Sequence, residues 1–195
     1  MLFRSSNSEC EFEYRSSVFK KNPGRYVILD VTFQLRNGEM SLPIMYKELA
    51  SYLGVALEAK ALVSDVRKAV LALRAAKGML LDAKDHDTWS AGSFFINPIV
   101  SADVAAKLPN DAPRWPQADG RVKTSAAWLM EHAGVKKGEI HNGAGVSTKH
   151  VLALVNNGNA TASDIVEMAR LARSAVKEKF GITLEPEVQF VGLSL

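Results

Sequence analysis

The sequence predicts an α+β fold, on three observations. Runs rich in β-branched and aromatic residues, such as residues 25–35, stand beside segments with helical apolar spacing, such as residues 161–180. The two types do not alternate in the regular βαβ rhythm of a parallel sheet, and no internal repeat or low-complexity segment imposes another architecture. At 195 residues, 47% of them hydrophobic, the chain can bury a core of one or two domains.

Arg25 to Leu35, followed by Asn37-Gly38, predicts a β-hairpin that returns through Glu39 to Met45. Helices are expected from Tyr46 to Leu53 and from Ser64 to Lys77. The second opens at Ser64 as N-cap, carries Val66, Val70, Leu71 and Leu73 as its apolar stripe, and stops at Gly78. The charged stretch Asp82 to Trp89 reads as a flexible loop, Ser101 to Leu108 as a short helix, and Pro109 to Gly120 as a rigid loop too rich in proline to be regular. Thr124 to Ala133 is expected to be helical and Val151 to Val155 a buried strand. The longest helix runs from Thr161 to Phe180, with Thr161 and Asp164 placed as a capping box and Gly181 as its stop. Its stripe of Ile165, Met168, Ala169, Ala172, Val176 and Phe180 has the periodicity of core, not of a cofactor box. A last strand from Ile182 to Val191 would carry Glu185 and Glu187 on one face.

Composition narrows the function. The net charge of +3 suits an anionic ligand such as a nucleotide diphosphate as well as nucleic acid. Basic residues are interspersed with acids, and Tyr14, Tyr26 and Trp128 are not interleaved with a cationic track, so a nucleic-acid partner is not expected. The single cysteine, Cys10, excludes an internal disulfide and reads as a small packed hydrophobe. His86, His132, His141 and His150 are scattered, with no Cys or His at ligand spacing, so no metal site is expected. No apolar run approaches the roughly 18 residues of a membrane helix, and the N-terminus lacks the order of a signal peptide. A cytoplasmic protein without a membrane partner is the expectation.

The stretch Ala91 to Pro98 sets a hydroxyl and an amide among aromatics. Gly92 allows close approach of a ligand, Phe94 and Phe95 can exclude water, Asn97 is held extended before Pro98, and Ser93 is a candidate proton donor. The same eight residues also read as the start of a buried strand whose Ser and Asn satisfy backbone groups. A second glycine-bearing stretch, Asn142 to Thr148, is a weak phosphate cradle, since it follows no hydrophobic strand run and lacks a third glycine.

Five segments, residues 11–20, 91–98, 123–129, 145–150 and 184–188, occur in an order that resembles the UDP-N-acetylenolpyruvoylglucosamine reductase family. These are flavoenzymes that make UDP-N-acetylmuramate for bacterial peptidoglycan. Each motif alone is weak, but five in register are specific, and the resemblance runs from about residue 10 to 192. It implies reduction of UDP-N-acetylglucosamine enolpyruvate by a hydride from NADPH passed through FAD. The chain departs from the family in lacking the N-terminal region whose Gly-rich loop binds the FAD pyrophosphate. It is therefore expected to be the C-terminal part of a longer enzyme. Residues 1–77 would be the remaining part of the FAD-binding domain, 78–181 the C-terminal substrate-binding domain, and 182–195 a strand returning to the flavin domain. Such a chain is expected to be inactive alone and to bind neither FAD nor NADPH; the alternative is a nucleotide-sugar binding module without chemistry.

The resemblance also assigns residues. Arg15 matches the family group that stabilises the enolate formed by hydride addition, Glu187 the second catalytic group, and Ser93 the general acid. An aliphatic hydroxyl is a poor acid unless a neighbour stabilises its alkoxide. Tyr46, Asn97 and His150 match places that hold the uridine diphosphate, although His150 stands where an amide is usual. Met79 replaces a phosphate-binding lysine, for which Lys77 or Lys84 could substitute, and Lys149 is a further candidate cation. Tyr14 matches an aromatic near the flavin. The edges of the 25–45 hairpin and the 182–191 strand, without the partners a missing half would supply, are expected to promote self-association.

Overall fold

The computed structural model describes residues 3–13 and 15–195, so Tyr14, the aromatic assigned to the flavin, lies outside the described residues. The chain divides into two compact units, Met1–Gly38 and Glu39–Leu195. In the first, a 3-10 turn at Ser8–Cys10 buries Cys10, and helix α1 (Val18–Lys21) opens at Ser17, whose hydroxyl accepts the Lys20 N–H. The bridge Glu13↔Ser16 closes a tight turn in which Arg15 takes a left-handed φ of 57°.

The predicted hairpin does not form. Residues 25–37 carry no ladder, and Val27, Ile28, Leu29, Val31, Phe33 and Leu35 are all more than half exposed. A strand pair is marginal without a third strand or a helix to cover its apolar face, and β-propensity by itself does not supply one.

In the second unit, α2 (Lys47–Leu53) and α3 (Val63–Ala76) pack together. Ser64 is not the N-cap of α3. Leu62 holds that position without a side-chain cap, because the Met40↔Leu62 bridge and the Val63 N–H to the Glu39 carbonyl anchor the entering backbone. Only Ala69 is fully buried on this helix and Val70 is exposed, so the contact face is narrower than the sequence stripe. The helix ends in a Schellman arrangement, with Gly78 N–H bonded to Ala75 O and Met79 N–H to Arg74 O.

Seven short strands and three helices follow: β1 (Ser90–Ser93), β2 (Ile99–Val100), α4 (Ala102–Ala106), β3 (Arg114–Pro116), β4 (Val122–Thr124), α5 (Ala126–His132), β5 (Ile140–His141), β6 (Ala144–Val146), β7 (Ala153–Asn156) and α6 (Ala162–Phe180). They build two antiparallel sheets, ordered β1-β7-β6-β5 and β2-β4-β3. The architecture is α+β. Helices α5 and α6 pack on each other, and α6 covers β6 and β7. Phe95, Leu129, Met130, Val146, Val151, Met168, Val176 and Leu184 are at most 1–2% exposed in one core.

The capping box of α6 is present in full: Asp164 N–H donates to the Thr161 hydroxyl and Thr161 N–H to the Asp164 carboxylate. Of its predicted stripe, Met168, Ala169, Ala172 and Val176 are buried in the core and Ile165 and Phe180 pack half-buried against it; Val166 is buried as well. Four other expectations are corrected. Residues 109–120 do contain a strand, β3, since Pro113 precedes it and Pro116 ends it on an edge where a missing N–H costs nothing. Thr124 belongs to β4, and Ser125 is the N-cap of α5. Residues 182–191 form no strand; they make the isolated bridge Phe95↔Pro186, through Ile96 N–H to Glu185 O and Glu187 N–H to Phe94 O, and extend it no further. The Asn142-Gly143 pair, with φ of 50° and 81°, is the two-residue turn joining β5 to β6, and a β-carbon on Gly143 would stand 2.4 Å from Asn159 Oδ1. That turn is filled by protein and is no phosphate cradle.

Candidate active site

The Ser93 segment is shaped by a bulge. Ser90 pairs with Val155 and Ser93 with Ala153, so β1 spends one extra residue against β7. Gly92 absorbs it with a φ of 83°, and nothing lies within 4 Å of where its β-carbon would be. Glycine is needed here for its conformation, not for close packing. Phe94 and Phe95 turn into the core, edge to face at 5.1 Å, and anchor the segment. The half-buried Ser93 then sets its Oγ 3.2 Å from His150 Nε2.

His150 closes the loop between β6 and β7, which is held by side chains remote in sequence. The buried Ser147 hydroxyl accepts the N–H groups of Lys149 and His150 at 3.1 and 3.2 Å. The Asp87 carboxylate accepts both the N–H and the hydroxyl of Thr148 at 2.8 Å, and Lys149 Nζ sits 2.8 Å from Asp85. Asp85 and Asp87 flank a 3-10 turn, His86–Thr88, in which Thr88 is buried and its hydroxyl bonds the backbone at Asp82 and Asp85. Residues 82–89 are thus a pinned turn and not the loose loop expected, because paired charges and a buried threonine fix them. The Lys149 hydrogen bond holds Asp85 below the usual carboxylate range, and Asp85 in turn raises Lys149. Burial, and then the charges of Lys77 and Lys137, push the His150 imidazole below its ordinary value, with Glu131 opposing weakly. The ring is therefore neutral at pH 7.

Other predicted residues fall around or away from this pair. Glu187 donates its backbone N–H to the Phe94 carbonyl at 2.8 Å, which puts the half-buried Glu187 beside the residue that follows Ser93. Asn97 Oδ1 accepts the Ala126 N–H at 2.9 Å and ties the segment to the first turn of α5. Lys77, at the end of α3, is paired with Glu48, and the adjoining Gly78 packs against Ser147, Lys149 and Asp87. Lys149 already serves Asp85. Tyr46 precedes α2 and is 79% exposed. Lys84 is exposed. Arg15 belongs to the first unit, exposed, with its carbonyl 3.5 Å from Lys20 Nζ.

Sequence reasoning did not find Ser147, Asp85, Asp87 or Lys137. The Ser-Thr-Lys-His run was visible, but its carboxylate partners lie some 60 residues upstream and carry no local signal. Lys137 also lines a hollow of about 500 Å³ with Gly134, Lys136, Gly138 and Glu139. Among the described residues no cluster of His, Cys, Asp or Glu could hold a metal ion, and no helix is long and apolar enough to cross a membrane.

Fold and site together define an α+β domain in which a serine hydroxyl on a bulged strand meets a half-buried imidazole. Residues 83–191 match the family model described as UDP-N-acetylenolpyruvoylglucosamine reductase, C-terminal domain. The chain is 52% identical over 190 residues to the UDP-N-acetylenolpyruvoylglucosamine reductase of Cutibacterium acnes, covering 96% of this chain and 50% of that protein. To that of Thermobifida fusca it is 49% identical over 200 residues, covering 97% and 56%. A crystal structure of the Thermus caldophilus reductase overlaps 68% of this chain and 38% of its own, with a TM-score of 0.36 at 21% identity, and carries no argument. The chain belongs to the UDP-N-acetylenolpyruvoylglucosamine reductase family, and it spans about half the length of the curated relatives it matches.

Proposed function

We propose that this chain is the substrate-binding part of an enzyme that reduces UDP-N-acetylglucosamine enolpyruvate to UDP-N-acetylmuramate in the bacterial cytoplasm, for peptidoglycan synthesis, with NADPH as the source of hydride and FAD as its carrier. The observation that supports it most is the Ser93–His150 pair inside the segment matched by the family model. Residues 78–181 are proposed as the substrate-binding domain. The Gly143 turn is filled by Asn159 and leaves no room there for a pyrophosphate. The flavin is therefore proposed to be held by parts of the enzyme that this chain does not span, and the hydride comes from there.

The residues of this chain supply the proton and control of charge. Hydride addition to C3 of the enolpyruvyl ether builds negative charge on C2 and its carboxylate. Ser93 is proposed to give its proton to C2, Arg15 to face the carboxylate, and Glu187 to support the enolate or handle its proton. Tyr46, Asn97, Lys77, Lys149 and His150 are proposed around the uridine diphosphate. A nucleotide-sugar binding module without chemistry is the second reading, favoured by the filled Gly143 turn. The exposed run from Val27 to Leu35 is proposed to drive self-association.

Calorimetric titration of the chain with UDP-N-acetylglucosamine enolpyruvate, with and without FAD, tests the reading. Saturable binding without flavin is expected. A folded chain that does not bind overturns it, and a flavin-coloured chain overturns the assignment of FAD elsewhere.

A further inference from the structure

Serine hydroxyls donate protons poorly, and the pair at the end of β1 contains a feature that bears on this difficulty. Ser93 Oγ has one proton to give, and His150 Nε2 stands 3.2 Å from it. If Nε2 accepts, that proton is spent on the ring and none is left for a ligand. If Nε2 carries the hydrogen, the ring donates to Oγ, the hydroxyl proton is turned outward, and the oxygen already has a partner when that proton leaves.

We infer that His150 is the positioning residue for Ser93, donating Nε2–H to Oγ so that the serine proton faces the substrate and the resulting alkoxide is held. The inference rests on the reading proposed above and adds to it a role for His150 other than nucleotide binding. The transfer itself balances on Ser93: the O–H bond breaks, a C–H bond forms at C2, and solvent returns a proton to the oxygen while the imidazole keeps its own.

The surroundings fit this role. The loop that carries His150 is fixed by the buried Ser147 hydroxyl, which binds the His150 N–H, and by Asp87 on Thr148 and Asp85 on Lys149. The backbone that carries the ring is thus fixed from behind, and the ring itself meets Ser93. The charges that act on it are those of Lys77 at the end of α3, Lys137 in the loop after α5, and Glu131 on α5. With two cations and half-burial against one carboxylate, the neutral ring is favoured, and a neutral ring has one N–H to place.

The direct test is ¹⁵N NMR of the imidazoles in the 195-residue chain at pH 7, with His150 assigned by the loss of its signals in His150→Gln. Expected are a protonated Nε2 and a bare Nδ1 for His150, and a change in its Nε2 shift in Ser93→Ala that His86, His132 and His141 do not share. A protonated Nδ1 with a bare Nε2, or a His150 signal indifferent to Ser93→Ala, overturns the inference.

The flavin-loaded full-length enzyme gives the second readout. His150→Gln should keep at least about a tenth of kcat and His150→Ala about a hundredth, with KM changed less than kcat. Equal losses in kcat for the two variants, or losses confined to KM, would show a structural or binding role instead. Calorimetry with UDP-N-acetylglucosamine enolpyruvate separates the two failures. Normal binding with the wrong tautomer sinks only the positioning role, whereas absent binding in a chain with the right tautomer sinks the functional reading.

Discussion

Residues 27–35 and residues 151–155 are both dominated by Val, Leu and Ile or Ala, and both read as strands, yet they finish in opposite environments. Val151, Leu152, Ala153, Leu154 and Val155 are at most 8% exposed, whereas Val27, Ile28, Leu29, Val31, Phe33 and Leu35 are between 58% and 84% exposed. In the second, Val151 and Leu152 close the turn before β7, and the rest lies in β7, which is paired on both sides with β1 and β6 and has α6 laid across it. The first has neither ladder nor cover. Apolar content and β-propensity are therefore necessary but insufficient: burial is decided by whether the chain supplies neighbours for both the backbone groups and the side chains.

The strongest way to break this contrast is to place a charge in each segment. Leu154→Asp buries a carboxylate in the core between the sheet and α6 and should cost about 4 kcal/mol or more in urea unfolding, close to the whole stability of a domain. Phe33→Asp should change stability by less than about 0.5 kcal/mol while reducing concentration-dependent association in sedimentation. A large loss of stability in Phe33→Asp would mean that this run is buried in solution.

A smaller effect concerns the covering helix. Thr161→Ala removes the hydroxyl half of the capping box and should lower unfolding free energy by about 1 kcal/mol without altering the cooperativity of the transition. No change would mean that α6 is held by its buried stripe alone.

The smallest effect is the pH dependence due to His150. Its imidazole is harder to protonate in the folded chain than in the unfolded one, so as pH falls below about 6.5 the unfolded state takes up a proton first. Stability should decline from there until the folded value is passed, and His150→Gln should remove that part of the slope. An unchanged slope in the variant would place the titrating group elsewhere.

Local signals were legible where one segment contained the whole interaction. The Thr161–Asp164 box, the Gly181 stop and the α6 stripe are of this kind, whereas the Asn142-Gly143 turn was read only as a weak phosphate cradle and its hairpin was missed. What failed needed distant partners. The N-cap of α3 was replaced by a bridge to Met40, β3 depended on pairing with β4, and residues 82–89 were ordered by Thr148 and Lys149. The candidate site divides in the same way. Ser93 and His150 were both singled out, but their contact was not, because it is made by the β1–β7 pairing and by a bulge at Gly92 that no short pattern specifies.

The extended run also determines where the chain is open to cutting. Residues 25–37 present backbone without ladder bonds, and Arg25 and Arg36 stand near its two ends. A protease needs several consecutive residues in an extended form, and this stretch offers them without prior unfolding. A cut after Arg36 would release residues 37–195, which hold the whole second unit with its sheets, its core and the Ser93–His150 pair unbroken, while removing Arg15. Digestion at one short seam would thus convert a chain carrying all three proposed chemical groups into one that keeps the proton donor and loses the cation.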